Sequence, residues 1–151
     1  MKKLTKKFFL REILFSILYL LLLQNNSIYG CSCKESTLEG LFESADAVFI
    51  GEVLEIKPLK FLGLFEDEGF EATIKVSKNF KGNTKEQVIV STGLGGGDCG
   101  YKFNKNVRYL IYAHGSGEQL SVNLCSGTIS LENALKENVL DRISGFAKKN
   151  Y

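Results

Sequence analysis

The sequence predicts a small, mainly β domain: a five-stranded closed barrel, with a short helix before the strands and a helix after them. Five segments rich in β-branched and aromatic residues lie between residues 46 and 125, and turn-forming residues separate them. The last segment instead repeats apolar residues at helical spacing. A domain of about 120 residues can bury one core but hardly two. These features together favour a Greek-key barrel of the OB type.

The first 30 residues have the pattern of an export signal. Five basic residues in the first eleven are followed by an apolar run from Ile13 to Leu23, and the small Gly30 precedes Cys31. The run is shorter than the roughly 20 apolar residues that a membrane-spanning helix needs. We therefore expect residues 1–30 to be a signal peptide and residues 31–151 to be one mature domain, either secreted to the extracellular space or periplasmic. An uncleaved signal anchor is the alternative.

The predicted elements follow in chain order. Ser36 and Glu39 form a capping-box pattern, which predicts a helix over Ser36–Ser44. From Ser130 to Lys149, apolar residues recur on one face of a single amphipathic helix. The five predicted strands are Asp46–Lys57, Phe70–Phe80, Glu86–Thr92, Val107–Ala113 and Gln119–Cys125.

The segments between the strands predict loops. Pro58 is expected to end or bend the first strand, and Lys60–Gly69 is expected to form a loop with an acidic tip at Glu66–Glu68. The glycine cluster Gly93–Gly100 predicts a conformationally free turn. It is not a phosphate loop, because no Lys-Ser/Thr pair follows it and the next segment predicts a strand.

The charge of the predicted mature domain argues against a nucleic-acid partner. The leader contains five of the 19 Lys and Arg residues and one of the 17 Asp and Glu residues, which leaves 14 basic and 16 acidic residues, a net charge of −2. The slightly basic balance of the whole chain therefore belongs to the leader. No basic face is predicted.

All four cysteines lie in the predicted mature domain, at Cys31, Cys33, Cys99 and Cys125. An even number of cysteines in an exported domain indicates a disulfide framework. Spacing does not choose among the three connectivities, although a bond between Cys31 and Cys33 would be strained at such short range. Each is therefore expected to pair with Cys99 or Cys125, closing a loop of about 70 to 90 residues worth roughly 4 kcal/mol in the chain-entropy model.

The segments around these cysteines resemble a known family. The chain is similar to the N-terminal, netrin-like domain of the tissue inhibitors of metalloproteinases, and the similar stretches span nearly the whole predicted mature domain in the family's order. The Cys-x-Cys motif at the mature start is the most specific of them. The matching stretches are CSC at Cys31–Cys33, ADAVFIGEV at Ala45–Val53, IKVSKNFKG at Ile74–Gly82, DCGYKF at Asp98–Phe103, RYLIYA at Arg108–Ala113 and LSVNLC at Leu120–Cys125.

This resemblance implies an OB-like barrel, the disulfide pairs Cys31–Cys99 and Cys33–Cys125, and inhibition of zinc metalloendopeptidases. In such inhibitors the α-amino nitrogen and the carbonyl oxygen of the first cysteine, here Cys31, chelate the zinc of the protease. A catalytic zinc has three protein ligands and an open position for water. The only metal expected is therefore the zinc of the partner protease, which Cys31 would bind in trans.

The resemblance also implies which other residues contact the protease. Ser32 would point into the specificity pocket, and Cys33 would fix the binding edge through its disulfide. Gly97 and Asp98 would touch the protease on the other side of the zinc. Two departures from the family are visible: no cysteines remain for its usual third disulfide, and the glycine cluster before Asp98 is more flexible than a rigid binding edge requires.

Three other interpretations of the Cys31–Cys33 motif are open. Acylation of Cys31 after a lipoprotein-type signal would give a lipid-anchored, non-inhibitory netrin-like binding module, and only then do we expect contact with a membrane. A zinc site made by the four cysteines would usually need two paired knuckles, and only one close pair exists. The disulfides could also serve only to stabilise a small barrel.

No catalytic constellation is evident, so we expect a non-enzyme without a cofactor. His114 is the only histidine and follows a predicted strand, where no second histidine can complete a metal site or a triad. Glu52 and Glu55 are at an odd spacing on a predicted strand, so they should face opposite sides and make a poor acid–base pair.

Overall fold

The structure is a computed structural model that describes residues 15, 30–59, 69–82, 84–117 and 119–149. The acidic residues Glu66–Glu68 and the leader, apart from Phe15 and Gly30, lie outside the described residues. The elements are α1 (Leu38–Ser44), β1 (Ala47–Leu59), β2 (Gly69–Lys81), β3 (Gln87–Thr92), a 3-10 turn (Gly96–Asp98), β4 (Arg108–Ser116), β5 (Gln119–Ser121), β6 (Ile129–Ser130), α2 (Leu131–Lys136) and α3 (Val139–Lys149).

Five of the strands close into a barrel. β1 pairs with both β2 and β4, β3 pairs with β2 and β5, and β4 pairs with β5. All of these pairs are antiparallel except β3–β5, which is parallel. The short β6 lies against β4. A mainly β, closed five-stranded barrel with flanking helices confirms the predicted fold class.

The barrel wall separates two apolar cores. Phe49, Ile74 and Ile111 are fully buried inside the barrel, whereas Val48 and Leu110, their neighbours along β1 and β4, are fully buried on the outer face. The outer core is covered by the three helices, with Phe42, Ala134, Val139 and Ile143 packed against the wall. The first half of β1, residues 47–51, and the middle of β4, residues 109–113, are therefore buried on both faces. This explains their nearly continuous apolar sequences.

Long strands need curvature to close a barrel, and β1 obtains it from irregular register. Its pairing with β2 shifts at three places, one of which lies between Ile50 and Gly51. A Cβ atom at Gly51 would overlap the Ile74 side chain. Only glycine therefore allows β2 to approach β1 so closely at this position.

The N-cap of α1 lies one residue later than predicted. The Thr37 hydroxyl oxygen accepts a hydrogen bond from the Gly40 N–H (3.1 Å), so Thr37 is the N-cap and the predicted Ser36–Glu39 capping box is wrong. At the other end, the Lys81 ammonium donates to the carbonyl oxygens of Phe42 and Glu43 (2.9 and 2.7 Å). Lys81 thereby joins the end of α1 to the end of β2.

The single helix predicted from Ser130 to Lys149 is two helices. Asn138 adopts a left-handed conformation (φ +51°), and α2 ends before it while α3 begins after it. The helix pattern of apolar residues continues across this break because both helices cover the same outer core. Periodicity alone therefore does not reveal the turn between them.

Three strand boundaries differ from the prediction by more than one residue. β1 continues through Pro58, which lies opposite Phe70 in the ladder. β4 extends to Ser116 by pairing with β5, whereas the predicted strand ends at Ala113. β5 ends at Ser121 instead of Cys125. The apolar pattern continues past Ser121, but the backbone leaves the sheet there to reach the second disulfide.

Candidate functional site

The N-terminal segment is attached to the barrel by two disulfides. Cys31 is bonded to Cys99 and Cys33 to Cys125, with Cα–Cα distances of 5.5 and 5.3 Å. These are the pairs that the resemblance implies. Gly30–Thr37 lies outside any helix or strand, so the disulfides determine where this segment lies on the barrel.

The two partner cysteines lie on neighbouring segments. Gly100 and Asn123 form an antiparallel bridge, and the Leu124 N–H donates to the Cys99 carbonyl oxygen (2.7 Å). The backbones that carry Cys99 and Cys125 are thus side by side, and each is bonded to one cysteine of the Cys-x-Cys motif. We call Cys31–Cys33, Leu94–Cys99 and Asn123–Cys125 together the disulfide ridge. Ser32, between the two disulfides, is exposed.

The Cys125 side of the ridge is held by buried hydroxyl groups. The Ser126 hydroxyl donates to the Asn123 carbonyl oxygen (2.9 Å) and lies 3.1 Å from the Thr128 hydroxyl oxygen. The Thr128 hydroxyl oxygen in turn accepts a hydrogen bond from the Tyr112 N–H (3.1 Å). Both hydroxyl-bearing side chains are buried. This chain of bonds connects the second disulfide to the middle of β4.

The Cys99 side of the ridge is organised by one carboxylate. Asp98 accepts hydrogen bonds from the backbone N–H groups of Leu94 (2.6 Å), Gly95 (2.8 Å) and Gly100 (3.2 Å). The bond from Gly100, followed by that from Leu94, lowers the pKa of Asp98 below its ordinary value of 3.8. Directly after the loop, the Tyr101 N–H donates to the Thr92 hydroxyl oxygen (2.6 Å). The glycine cluster is therefore a specific hydrogen-bonded loop, and the predicted free turn is wrong.

Two of the glycines are required by this arrangement. A Cβ atom at Gly93 would overlap the Asp98 carboxylate, and one at Gly100 would overlap the Gly93 carbonyl group. Cys99 itself is left-handed (φ +58°), which turns the chain sharply between Asp98 and Gly100. The positions of Gly93 and Gly100 around Asp98 therefore permit this loop without specifying it.

The structure brings the candidate residues of the sequence analysis together in the ridge. Cys31, Ser32 and Cys33 form one of its three segments, and Gly97 and Asp98 belong to a second, in which both are exposed. The Asp98 carboxylate accepts from its own loop, an arrangement that the sequence did not predict.

Two exposed leucines of the ridge are not among the predicted site residues. Leu94 is 52% exposed and Leu124 is 53% exposed. Leu94 also lines an apolar depression of about 360 Å³, together with Ile56, Phe70, Tyr101 and Phe103. A signal was available for Leu94, because it lies inside the glycine cluster, five residues before Cys99. Leu124 continues the alternation of the buried Leu120 and Val122, so its exposure had no signal in the sequence.

The described residues contain no metal site of their own. No group of three or more His, Cys, Asp or Glu side chains is placed to hold a metal ion within the described part of the chain. All four cysteines are bonded in pairs, so the alternative of a four-cysteine zinc site is wrong. Among these same residues, no helix is both long and apolar enough to cross a membrane.

Comparisons with known proteins do not assign the chain to a family. No protein-family model matches the sequence, and no curated protein sequence is significantly similar to it. The fold and the disulfide ridge therefore define the class of protein only as a disulfide-linked, closed mixed β-barrel. Two disulfides are compatible with an extracellular protein.

Proposed function

We propose that this protein is a secreted inhibitor of zinc metalloendopeptidases that binds the protease zinc through the N-terminus of the mature chain at Cys31. One observation carries the proposal: the residue that follows the predicted leader is bonded to the barrel, and a second disulfide holds the chain two residues later. Exposed Ser32 lies between these two attachments. In this proposal the chain is a non-enzyme with a protein partner, and it resembles the netrin-like domain of the tissue inhibitors of metalloproteinases.

The chemistry of Cys31 suits this role once the leader is removed. An α-amino nitrogen and the carbonyl oxygen of the same residue form a five-membered ring with a metal ion, and this ring can displace the zinc-bound water. The disulfides order both atoms before binding, which lowers the entropic cost of association. The amine must be neutral, and an unperturbed α-amino group titrates near roughly 7.7. Inhibition should therefore weaken as the pH falls below about 7.

The test compares two forms of the mature protein that differ only at the N-terminus. One begins at Cys31 and the other carries one additional alanine before it, and both are assayed against a panel of zinc metalloendopeptidases. We expect the first form to inhibit and the extended form to lose at least about 100-fold in affinity, as for loss of a dominant contact. Equal inhibition by the two forms would show that zinc chelation is wrong. Circular dichroism and an intact mass control for the barrel and both disulfides.

Ser32 provides a separate test of orientation. If its side chain enters the specificity pocket, Ser32→Gly should change the ranking of inhibited proteases while the free energy of unfolding changes by less than about 0.5 kcal/mol, as is usual for exposed positions. An unchanged ranking would remove Ser32 from the interface. Ser36→Gly is the matched control, because Ser36 is also exposed and lies outside the ridge.

A lipid-anchored, non-inhibitory netrin-like module is the competing proposal, and the Cys31–Cys99 bond argues against it. Acylation of the Cys31 sulfur would remove that disulfide and leave Cys99 without its partner. An intact mass of the protein from its native host distinguishes the two. A chain that begins at unacylated Cys31 with two disulfides supports the inhibitor, whereas a lipid mass on Cys31 supports the anchored module.

A further inference from the structure

We infer that Asp98 is a positioning residue, which holds the loop of the disulfide ridge in one conformation and thereby presents Leu94 as an apolar contact to the partner protease. The positioning role stands on the geometry of the loop alone. The contact made by Leu94 rests on the proposed function. The two parts are tested by different measurements.

The hydrogen bonds of Asp98 join the two ends of the loop. Leu94 and Gly95 donate from its beginning, and Gly100 donates from its end. Five of the eight residues from Gly93 to Gly100 are glycines, and glycine loses more conformational freedom on folding than any other residue. The loop therefore depends on its few specific bonds, and one side chain accepts three of them.

Leu94 is the residue whose place depends most directly on Asp98. Its N–H makes the shortest of the three bonds, to Asp98 Oδ2, and its side chain is 52% exposed at the rim of the apolar depression. Exposed apolar side chains held by a rigid backbone are effective binding contacts, because little freedom is lost on association. Leu94 is in this position only while the carboxylate is in place.

Leu124 offers a matched control in the same ridge. It is 53% exposed, almost the same as Leu94, but its N–H donates to the Cys99 carbonyl oxygen (2.7 Å). Its segment is held on the other side by the Ser126 and Thr128 hydroxyl groups. Loss of the Asp98 carboxylate should therefore disturb Leu94 and leave Leu124 in place.

The first experiment needs no protease. Amide hydrogen exchange is measured by NMR in the mature disulfide-bonded protein, in Asp98→Ala and in Asp98→Asn. In Asp98→Ala we expect exchange at Leu94 and Gly95 to become at least about tenfold faster, as for loss of a hydrogen bond to a charged group. The control amide is Val122, whose N–H donates to the Ser91 carbonyl oxygen (2.9 Å) outside the loop and whose exchange should be unchanged. Asparagine keeps the Oδ1 acceptor used by Gly95 and Gly100, so Asp98→Asn should affect mainly Leu94. Unchanged exchange in Asp98→Ala would overturn the inference.

The second experiment is a double-mutant cycle on inhibition. Asp98→Ala and Leu94→Ala should each weaken inhibition about tenfold, and the double variant should be no worse than either single variant, because both remove the same contact. Asp98→Ala combined with Leu124→Ala should instead show the product of the single effects. Independent effects of Asp98 and Leu94 would contradict the proposed presentation of Leu94.

The two experiments separate this inference from the proposed function. If the unmodified protein inhibits no zinc metalloendopeptidase, the proposed function and the protease contact of Leu94 both fail, and the exchange data alone decide the positioning role of Asp98. If the protein inhibits but exchange in Asp98→Ala is unchanged, the positioning role fails while the proposed function stands.

Discussion

In the barrel, Phe49, Val53 and Ile74 are fully buried, whereas in the disulfide ridge Ser32, Leu94 and Leu124 face solvent. The barrel is stabilised by removing apolar surface from water. The ridge buries few apolar side chains, and it is held by two disulfides, one carboxylate and a pair of buried hydroxyl groups. A small domain can thus keep an exposed surface ordered without adding to its core, because covalent and polar bonds supply the order.

Truncation of a barrel side chain should have the largest effect on stability. Phe49→Ala removes a fully buried ring and should lower the free energy of unfolding by about 4 kcal/mol, measured by urea denaturation. Leu94→Ala is the ridge counterpart and should change it by less than about 0.5 kcal/mol. Similar losses for both variants would contradict the division between barrel and ridge.

Removal of one disulfide should have a comparable but smaller effect. The double variant Cys33→Ser/Cys125→Ser opens a link between residues 92 positions apart. We expect a loss of about 3 kcal/mol, mainly through the unfolded chain, which is below the roughly 4 kcal/mol of an isolated loop because the remaining Cys31–Cys99 bond closes an overlapping loop. The near-ultraviolet circular dichroism of the barrel aromatics should persist in the folded variant. If it disappears, the ridge disulfide is needed to form the barrel as well as to hold the N-terminal segment.

The buried hydroxyl groups should contribute less than a disulfide. Thr128→Val keeps the shape of the side chain but leaves the Tyr112 N–H without its acceptor, which should cost about 1 to 3 kcal/mol. Thr128→Ser retains the hydroxyl group and is the control. A valine variant as stable as the serine variant would show that the hydrogen bond to β4 contributes nothing.

The smallest effect should be the acid response of the ridge loop. Backbone hydrogen bonds lower the pKa of Asp98 below 3.8. The carboxylate therefore stabilises the folded loop fully above its ordinary pKa of 3.8, and this stabilisation is lost as the pH falls through the lowered pKa of the folded state. The amide chemical shifts of Leu94 and Gly95, followed by NMR, should therefore titrate with a midpoint below 3.8. A midpoint at or above 3.8 would contradict the hydrogen bonds to Asp98. In the Asp98→Ala control, the amide chemical shifts of Leu94 and Gly95 should show no titration in this pH range.

The barrel could be predicted from the sequence because burial leaves a direct pattern. The first half of β1 and the middle of β4 are apolar on both faces, and the five barrel strands match the predicted ones to within a few residues except at the end of β5, whereas the two-residue β6 has no predicted counterpart. The break at Asn138 was missed, because a left-handed residue between two helices on one core does not interrupt the apolar period. Turn geometry at a single residue is a weaker signal than burial along a strand.

The ridge could be predicted only in part. The spacing of the cysteines indicated bonds to Cys99 and Cys125, and the resemblance supplied the pairing. The role of Asp98 was not visible, because a carboxylate that accepts from its own backbone depends on loop geometry that Gly93 and Gly100 permit but do not specify. Leu94 and Leu124 were passed over because sequence patterns identify apolar residues as core by default.

The disulfide pairing also has a consequence for how the protein is made. Synthesis proceeds from the N-terminus, so Cys31 and Cys33 emerge together, long before either partner, which lies 68 or 92 residues further along the chain. The first two thiols available for oxidation are thus the two that must not be joined. A cell that makes this domain has to delay oxidation until Cys125 has emerged, or reshuffle early bonds by thiol–disulfide exchange, which takes seconds to hours.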